Sequence, residues 1–364
     1  MKFKNNKELR DYITTLLDKN ELNLSISDIL SSLLGNREIT YKKEIELLMN
    51  RYHFSSHTVF LGRVAAYLDI DLSVEDNLEI FNQYVTGVIH ELDPSKYLNN
   101  PYYLAINGVF VKEKDYEIKE DKYTPFEIFA YQDMKEEDYI EINSLGYFKD
   151  EFSFITLNHK GVTLMNITPN EIETMEKAVN EAKGDVLVFG LGLGYFPFMA
   201  LLKNEVKSVT VIENDKTIID LFNKHLKPKF PHQEKLNIIY DDANNYLSKD
   251  LKADYVFVDL WHNPEDGIEF FLKFKETERK QKGAKFFYWL ESSFYLFLRR
   301  CMFALIAEQL EGDNPQNYVK AETVEDKIIN SCYQQTKNLF VETKEDLDNL
   351  LRNRNLVDLL LNHR

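Results

Sequence analysis

The middle of the chain alternates between short apolar runs and helical patterns, and this alternation limits the folds that the chain can adopt. Runs rich in β-branched and aromatic residues lie at 185–190, 208–213, 236–240, 253–259 and 284–290. Helical patterns separate these runs at about 194–203, 215–225, 243–249 and 264–281. Because right-handed helical crossovers join parallel strands, the alternation predicts an α/β fold whose parallel sheet carries helices on both faces.

The flanking regions show helical spacing on both sides of a hairpin signal. Apolar residues recur every three or four positions up to about residue 92, and a long helix (292–310) and an amphipathic tail (from 321) end the chain. Two β-rich runs at 152–168 surround a turn. We therefore divide the chain into a mainly helical N-terminal domain (1–145), a β-hairpin connector (146–168), an α/β domain (169–310) and a helical C-terminal extension (311–364).

The start of the helix after the hairpin carries a capping signature. Thr168 can cap the helix, Pro169 suits its first turn, and Glu171 stands three positions after Thr168. In this pattern the acidic side chain reaches back to the backbone of the capping residue. The sequence thus predicts a capping box between Thr168 and Glu171.

Charge and composition exclude some partners. The chain has 60 acidic and 44 basic residues and a formal net charge of -16, which disfavours binding to duplex nucleic acid. Its two cysteines fit a reducing compartment. No apolar run approaches the roughly 18 residues that span a bilayer, and the first residues lack a signal-peptide pattern. We expect a cytoplasmic protein without a membrane partner, and a homodimer remains open.

The stretch 186–196, VLVFGLGLGYF, places Gly190, Gly192 and Gly194 directly after the first apolar run. Glycine permits a tight turn, and its missing Cβ lets ligand atoms approach backbone N–H groups. The dinucleotide-binding fingerprint has its third glycine three residues after the second, where this chain has Tyr195, and this disfavours NAD. The spacing is instead the one used around the methionine and ribose of S-adenosylmethionine, and a purely structural turn is the alternative.

Three further acidic positions follow successive strands, at the edge where open α/β sheets bind ligands. Glu213 ends the second strand and can accept hydrogen bonds from ribose hydroxyls. Asp242, with the N–H of Ala243, can contact adenine, although Asp242 can also cap the next helix and Asp241 can exchange roles with it. Asp259 ends the fourth strand, where an acid can take a proton from an incoming nucleophile.

These motifs, in this order, make residues 170–310 similar to class I S-adenosylmethionine-dependent methyltransferases, most of all to the spermidine-synthase-like branch. The resemblance implies a Rossmann-like parallel sheet that binds S-adenosyl-L-methionine. It also implies an acidic catalytic position at Asp259. The cofactor contacts that it implies are Gly190, Gly192, Gly194, Glu213, Asp242 and Ala243.

The acceptor site departs from that branch. Aminopropyltransferases carry a second Asp three residues after the first, where this chain has His262, and Pro264 stands one place late. Our leading hypothesis is a methyltransferase for a small-molecule or protein acceptor, with Asp259, or else His262, as base or acceptor-orienting group. The alternatives are an aminopropyltransferase that uses decarboxylated S-adenosylmethionine, and a non-catalytic cofactor-binding or scaffold protein.

Four weaker signals remain. His53 and His57 have the spacing of two metal ligands, but no third ligand is near, and we expect no metal site. The stretch 99–103, NNPYY, resembles the Asn-Pro-Pro-Tyr loop of amino-group methyltransferases but lacks the second Pro, so we predict a turn. For Trp261 and Glu291 the sequence leaves two roles open, namely lining an acceptor pocket and ordinary packing.

Overall fold

The computed structural model of the protein describes residues 1–36, 39, 42–247, 251–281, 283–311 and 322–361. The part before residue 107 is mainly helical, and several of its helices begin at polar caps. Asn6 and Ser55, for example, each accept a hydrogen bond from a first-turn backbone N–H. The helices are α1 (Lys7–Leu33), α2 (Lys42–Tyr52), α3 (Ser56–Tyr67), α4 (Glu75–Phe81), α5 (Pro94–Leu98) and α6 (Pro101–Ile106).

The described residues before 167 also form ten strands, two within the mainly helical part and eight after it. They are β1 (Lys2–Phe3), β2 (Ile89–Glu91), β3 (Val111–Glu113), β4 (Tyr116–Tyr123), β5 (Phe129–Ala130), β6 (Lys135–Glu137), β7 (Ile140–Ile142), β8 (Leu145–Tyr147), β9 (Phe152–His159) and β10 (Val162–Asn166). The mainly helical assignment of 1–145 is therefore wrong beyond Ile106. The run of four charged residues at 119–122 concealed strand β4, in which only Tyr116 and Ile118 are buried.

The hairpin predicted at 152–168 is confirmed, although it belongs to a larger sheet. Strands β9 and β10 pair antiparallel, with a register shift between Thr163 and Met165. Strand β9 also pairs antiparallel with β4 along all eight residues of both strands. The resulting sheet has the order β10-β9-β4-β3, and it places β10 beside the next part of the chain.

The second half contains the predicted parallel sheet. Its strands are β11 (Gly184–Phe189), β12 (Val206–Glu213), β13 (Leu236–Tyr240), β14 (Tyr255–Val258) and β15 (Lys285–Tyr288). The accompanying helices are α7 (Pro169–Glu181), α8 (Tyr195–Leu201), α9 (Lys216–Leu221), α10 (Ala243–Leu247) and α11 (Pro264–Lys280). The strands pair in parallel in the order β13-β12-β11-β14-β15, which is Rossmann-like, and the order reverses on either side of β11.

The end of the chain is helical, as expected, except for one short strand. It contains α12 (Glu291–Glu311), α13 (Val324–Thr336), β16 (Phe340–Val341), α14 (Lys344–Leu351) and α15 (Asn353–Leu361). Strand β16 pairs in parallel with β1, so the two ends of the described chain meet. Residues 312–321 and 362–364 of the predicted C-terminal extension lie outside the described residues. None of the described helices is long and apolar enough to cross a membrane.

Phe189 lies at the centre of the parallel sheet and has no exposed surface. Its ring packs against Phe274 of α11 at a centroid distance of 4.7 Å. Removing a fully buried aromatic side chain takes away its apolar burial and leaves a cavity.

We expect Phe189→Ala to lower the free energy of unfolding by about 3–5 kcal/mol. Urea denaturation followed by circular dichroism measures this change. Phe110→Ala is the matched control, because that ring is 58% exposed and its loss should cost under about 0.5 kcal/mol. Equal losses in the two variants would contradict the described core.

Candidate functional site

A cavity of about 540 Å³ opens at the carboxyl ends of the parallel strands. One wall is the glycine loop after β11, and the strand ends of β12 and β14 contribute Glu213 and Asp259. Strand β10 and the first turn of α7 close the opposite side. Aromatic side chains complete the wall, namely Tyr123, Phe129, Trp261 and Trp289. The cavity therefore lies at the reversal of strand order, where open α/β sheets bind ligands.

The glycine loop turns tightly because its three glycines adopt positive φ. Gly190 has a φ of 97°, and a Cβ there would collide with the backbone carbonyl of Asp259. Gly192 has a φ of 47°, and a Cβ there would collide with the sulfur of Met165 in β10. Both residues line the cavity. The bare backbone thus accommodates the protein's own chain at these positions.

Gly194 is placed differently from the other two glycines. It is absent from the cavity wall, and the space beside its Cα is filled by the rings of Phe222 and Phe230. A residue without a Cβ is needed at this position so that the two rings can pack behind the loop. This is the structural alternative that the sequence left open. A contact between Gly194 and a cofactor stays a prediction.

Glu213 is held at the end of β12 by backbone amides. Its Oε2 accepts from the N–H of Leu191 at 3.0 Å, and its Oε1 accepts from the N–H of Asp215 at 2.8 Å. The residue is 9% exposed and lines the cavity. Each carboxylate oxygen has a second lone pair, so the group can still accept from a ligand hydroxyl. The carboxylate also links the glycine loop to the second strand.

Asp242 and Ala243 lie outside the cavity wall. The Oδ1 of Asp242 accepts from the backbone N–H of Asn244 at 2.8 Å and from its side-chain amide at 3.0 Å. Asp242 therefore caps α10, which is the alternative that the sequence left open. Adenine contacts from Asp242 and Ala243 stay predictions.

The two catalytic candidates, Asp259 and His262, differ in how their polar groups are engaged by other residues. Asp259 lines the cavity, and its backbone N–H donates to the carbonyl of Phe189 at 2.9 Å. His262 also lines it, but its Nδ1 contacts Asp266 Oδ2 at 2.9 Å and its Nε2 contacts the carbonyl of Leu164 at 3.2 Å. Both ring nitrogens therefore face oxygen atoms of the protein, and neither is left to contact a ligand in this arrangement. His262 joins the loop after β14 to β10, and Asp259 remains the candidate base.

Glu171 is a site residue that the sequence assigned to another role. The predicted helix start is confirmed at Pro169, but Thr168 makes no side-chain capping bond, and its hydroxyl engages Tyr123 instead. Glu171 is 8% exposed and lines the cavity, and its buried Oε2 has no hydrogen-bond partner. The predicted capping box is therefore wrong. No sequence signal distinguishes this Glu from an ordinary first-turn acid.

Burial controls the protonation of the two cavity carboxyls. It raises the pKa of Asp259 to about 7, although the charge of His262 acts in the opposite direction. Burial, and then the negative charge of Asp259, raises the pKa of Glu171 well above its usual value. Near neutral pH the pair therefore retains at least one proton. A buried acid with such a shifted pKa in a cavity is typical of functional sites.

The weaker signals are also placed. His57 contacts the hydroxyl of Tyr147 through Nδ1 at 2.9 Å, away from the cavity. Among the residues described, no group of three His, Cys, Asp or Glu side chains is arranged to hold a metal ion. Trp261 lines the cavity, whereas Glu291 pairs with Lys275 at 2.7 Å.

No protein-family profile matches the sequence, and no curated protein matches it either. Solved structures give weak similarities. Spermidine synthase from Thermotoga maritima has a TM-score of 0.29 and 16% identity, over 41% of this chain and 59% of that chain. A spermidine synthase with the transition-state analogue AdoDATO has a TM-score of 0.30 and 18% identity, over 41% and 60%. Trm5b from Pyrococcus abyssi has a TM-score of 0.24 and 13% identity, over 52% and 53%.

These matches span at most three fifths of the other proteins' lengths, and at such scores they carry no argument about function. The Rossmann-like assignment rests instead on the parallel pairing and order of the five strands.

We expect Glu171→Gln to stabilise the protein at pH 8 by about 1–3 kcal/mol and to change little at pH 5. The pKa of Glu171 is higher in the folded state than in the unfolded chain. The wild-type protein therefore loses stability as the pH rises above the pKa that Glu171 has in the unfolded chain. The neutral amide removes that loss. Urea unfolding at the two pH values measures the difference, and an equal effect at both would contradict the buried, partnerless carboxyl.

Proposed function

We propose that this protein is an S-adenosylmethionine-dependent methyltransferase that acts on a small-molecule or protein acceptor. The observation that carries the proposal is one cavity at the reversal of strand order. It joins the glycine loop (Gly190–Gly192), the amide-bound carboxylate of Glu213 and the buried carboxyl of Asp259. This combination offers a hydroxyl acceptor and an acid–base group beside a glycine loop within a single cavity.

The charges of the cavity suit a cationic sulfonium. Glu213 and Asp259 are acidic, and no Lys or Arg is among the described residues that line the cavity. Aromatic faces attract cations as well, and Trp261 and Trp289 belong to the same wall. A carboxylate at the end of the second strand, such as that of Glu213, can accept hydrogen bonds from ribose hydroxyls. We place the nucleoside near Glu213 and the sulfonium toward Asp259.

When bound, S-adenosylmethionine supplies an electrophilic methyl carbon, whose bond to sulfur breaks as an acceptor lone pair forms the new bond. The chain's own contribution is to hold the acceptor in line and to receive its proton. Asp259 takes that proton in its ionised form, and burial keeps its pKa near the operating pH. Strand β10 and α7 limit the entry of water. Alignment of the reacting groups can supply several kcal/mol.

Aminopropyl transfer is the second candidate, because the structure brings a second acid into the cavity, although the sequence has none at the position typical of aminopropyltransferases. The position three residues after Asp259 is His262, which is tied to Asp266 and Leu164. Glu171 enters the same cavity from α7 and supplies a second carboxyl there. Two acidic groups can hold an ammonium group of a polyamine. Product analysis separates the two reactions, since methyl transfer releases S-adenosylhomocysteine and aminopropyl transfer releases 5′-methylthioadenosine.

Binding of the nucleoside is tested by calorimetric titration with S-adenosylhomocysteine, S-adenosylmethionine and its decarboxylated form. We expect micromolar affinity for at least one of them, and we expect Glu213→Gln to weaken it at least tenfold, by about 1.4 kcal/mol or more. Asp220→Asn, an exposed acid on α9, is the matched control and should bind as the wild type does. Failure of all three ligands to bind would end the proposal.

Turnover should depend on Asp259 more than binding does. We expect Asp259→Asn to keep the affinity for S-adenosylhomocysteine, which has no sulfonium charge, within about threefold and to lower kcat at least 100-fold, the size of a typical general-base contribution. A panel of amine, thiol and hydroxyl acceptors, with detection of the released nucleoside by mass spectrometry, measures this. Undiminished binding with no turnover by the wild type on any acceptor would favour a non-catalytic cofactor-binding protein.

The activity should fall as the pH decreases through about 7, because protonation of Asp259 removes the base. A profile of kcat/KM between pH 5 and 9 checks this expectation. A profile that is flat across neutrality would contradict a role for Asp259 in proton transfer.

A further inference from the structure

One residue of the glycine loop, Leu193, is held at both of its backbone polar groups by residues from the first half of the chain. The carbonyl of Leu193 accepts from the hydroxyl of Tyr102 at 2.6 Å. Its N–H donates to the sulfur of Met165 at 3.0 Å. Tyr102 lies in α6 and Met165 in β10. Both backbone groups of Leu193 therefore find their partners outside the Rossmann-like sheet and its helices.

A second contact extends this attachment to the first residue of α8. The side-chain amide of Asn100 donates to the hydroxyl of Tyr195 at 3.1 Å. The oxygen of the same amide accepts from the backbone N–H of Tyr102 at 2.9 Å, which caps α6. One side chain thus fixes both the helix that carries Tyr102 and the residue that follows the glycine loop. Tyr103 adds a hydrogen bond to the carbonyl of Ile167, which follows β10.

Packing leaves Tyr102 no freedom to make another contact. The side chain has no exposed surface, and its ring meets Tyr195 and Phe198 edge-on at centroid distances of 5.4 and 5.3 Å. Burial raises the pKa of Tyr102 well above its usual value, so the hydroxyl remains a donor at every physiological pH. The hydroxyl can therefore donate to the carbonyl of Leu193 throughout that pH range.

The glycine loop needs such outside support. Gly190, Gly192 and Gly194 all have positive φ, and glycine has wide conformational freedom, so the loop does not fix its own shape. A buried carbonyl that loses its partner must either move or remain unsatisfied, which is costly. Holding Leu193 at both its N–H and its carbonyl selects one conformation of the loop.

We propose that the NNPYY segment (99–103) positions the glycine loop for its ligand, with Tyr102 as the main positioning residue. This segment of the N-terminal half is then a working part of the nucleoside site. The statement that the loop's ligand is a nucleoside rests on the proposed function. The statement that the segment sets the shape of the loop stands on the contacts alone.

The test compares two matched variants, Tyr102→Phe and Tyr255→Phe. Tyr255 is also buried, at 1% exposure, and its hydroxyl donates to the carbonyl of Ala178 at 2.8 Å, away from the glycine loop. Both variants lose one buried hydrogen bond to a backbone carbonyl, and both should lose similar stability. We expect Tyr102→Phe to weaken S-adenosylhomocysteine binding about tenfold in calorimetry and Tyr255→Phe to leave it unchanged. Equal effects of the two variants would overturn the inference.

Amide hydrogen exchange of the unliganded protein gives a readout that needs no ligand. We expect Tyr102→Phe to speed exchange in residues 190–195 selectively, whereas Tyr255→Phe should not. Tyr195→Phe, which removes the acceptor of Asn100, should act in the same direction and serves if Tyr102→Phe folds poorly. Unchanged exchange in the loop for both would refute the inference. A wild-type protein that fails to bind S-adenosylhomocysteine, while the exchange result holds, would refute only the proposed function.

Discussion

The reversal of strand order on either side of β11 is the constraint from which the site follows. Strand β11 pairs in parallel with β12 and with β14, and the chain leaves it toward one edge of the sheet before it returns to the other. The crossovers therefore diverge at the carboxyl end of β11 and leave a crevice there. The glycine loop, Glu213 and Asp259 all line this crevice, because each directly follows one of the three central strands.

The two buried carboxyl groups of the cavity, those of Asp259 and Glu171, lower the stability of the fold, although their chemistry suits a functional site. Burial of Asp259 and Glu171 disfavours their ionised forms, and the Oε2 of Glu171 has no partner to offset that cost. Native proteins seldom leave a buried polar atom unsatisfied, and functional sites are a frequent exception. A cationic ligand or a transferable proton would give both groups a partner. The acidity of the cavity is therefore most simply understood as a property of the liganded or reacting state.

Sequence patterns predicted the parallel sheet closely, since period and length distinguish its strands from its helices. They failed between 111 and 147, where most strands are only two or three residues long and where a run of charged residues at 119–122 interrupts the alternation of β4. The site was predicted in part. Strand ends could be located, so Glu213 and Asp259 were found, whereas Glu171 enters from a helix whose orientation depends on tertiary packing. The contact of the NNPYY segment with the glycine loop was equally hidden, because Leu193 and Tyr102 are 91 residues apart.

A crystal structure of the protein grown with S-adenosylhomocysteine tests the central claim most directly. We predict density for the nucleoside in the cavity between the glycine loop and β10, with the ribose hydroxyls within hydrogen-bonding distance of Glu213 and the sulfur on the side of Asp259. Nucleoside density at another place on the protein, or a cavity that Met165 and its neighbours keep closed to a saturating ligand, would contradict it.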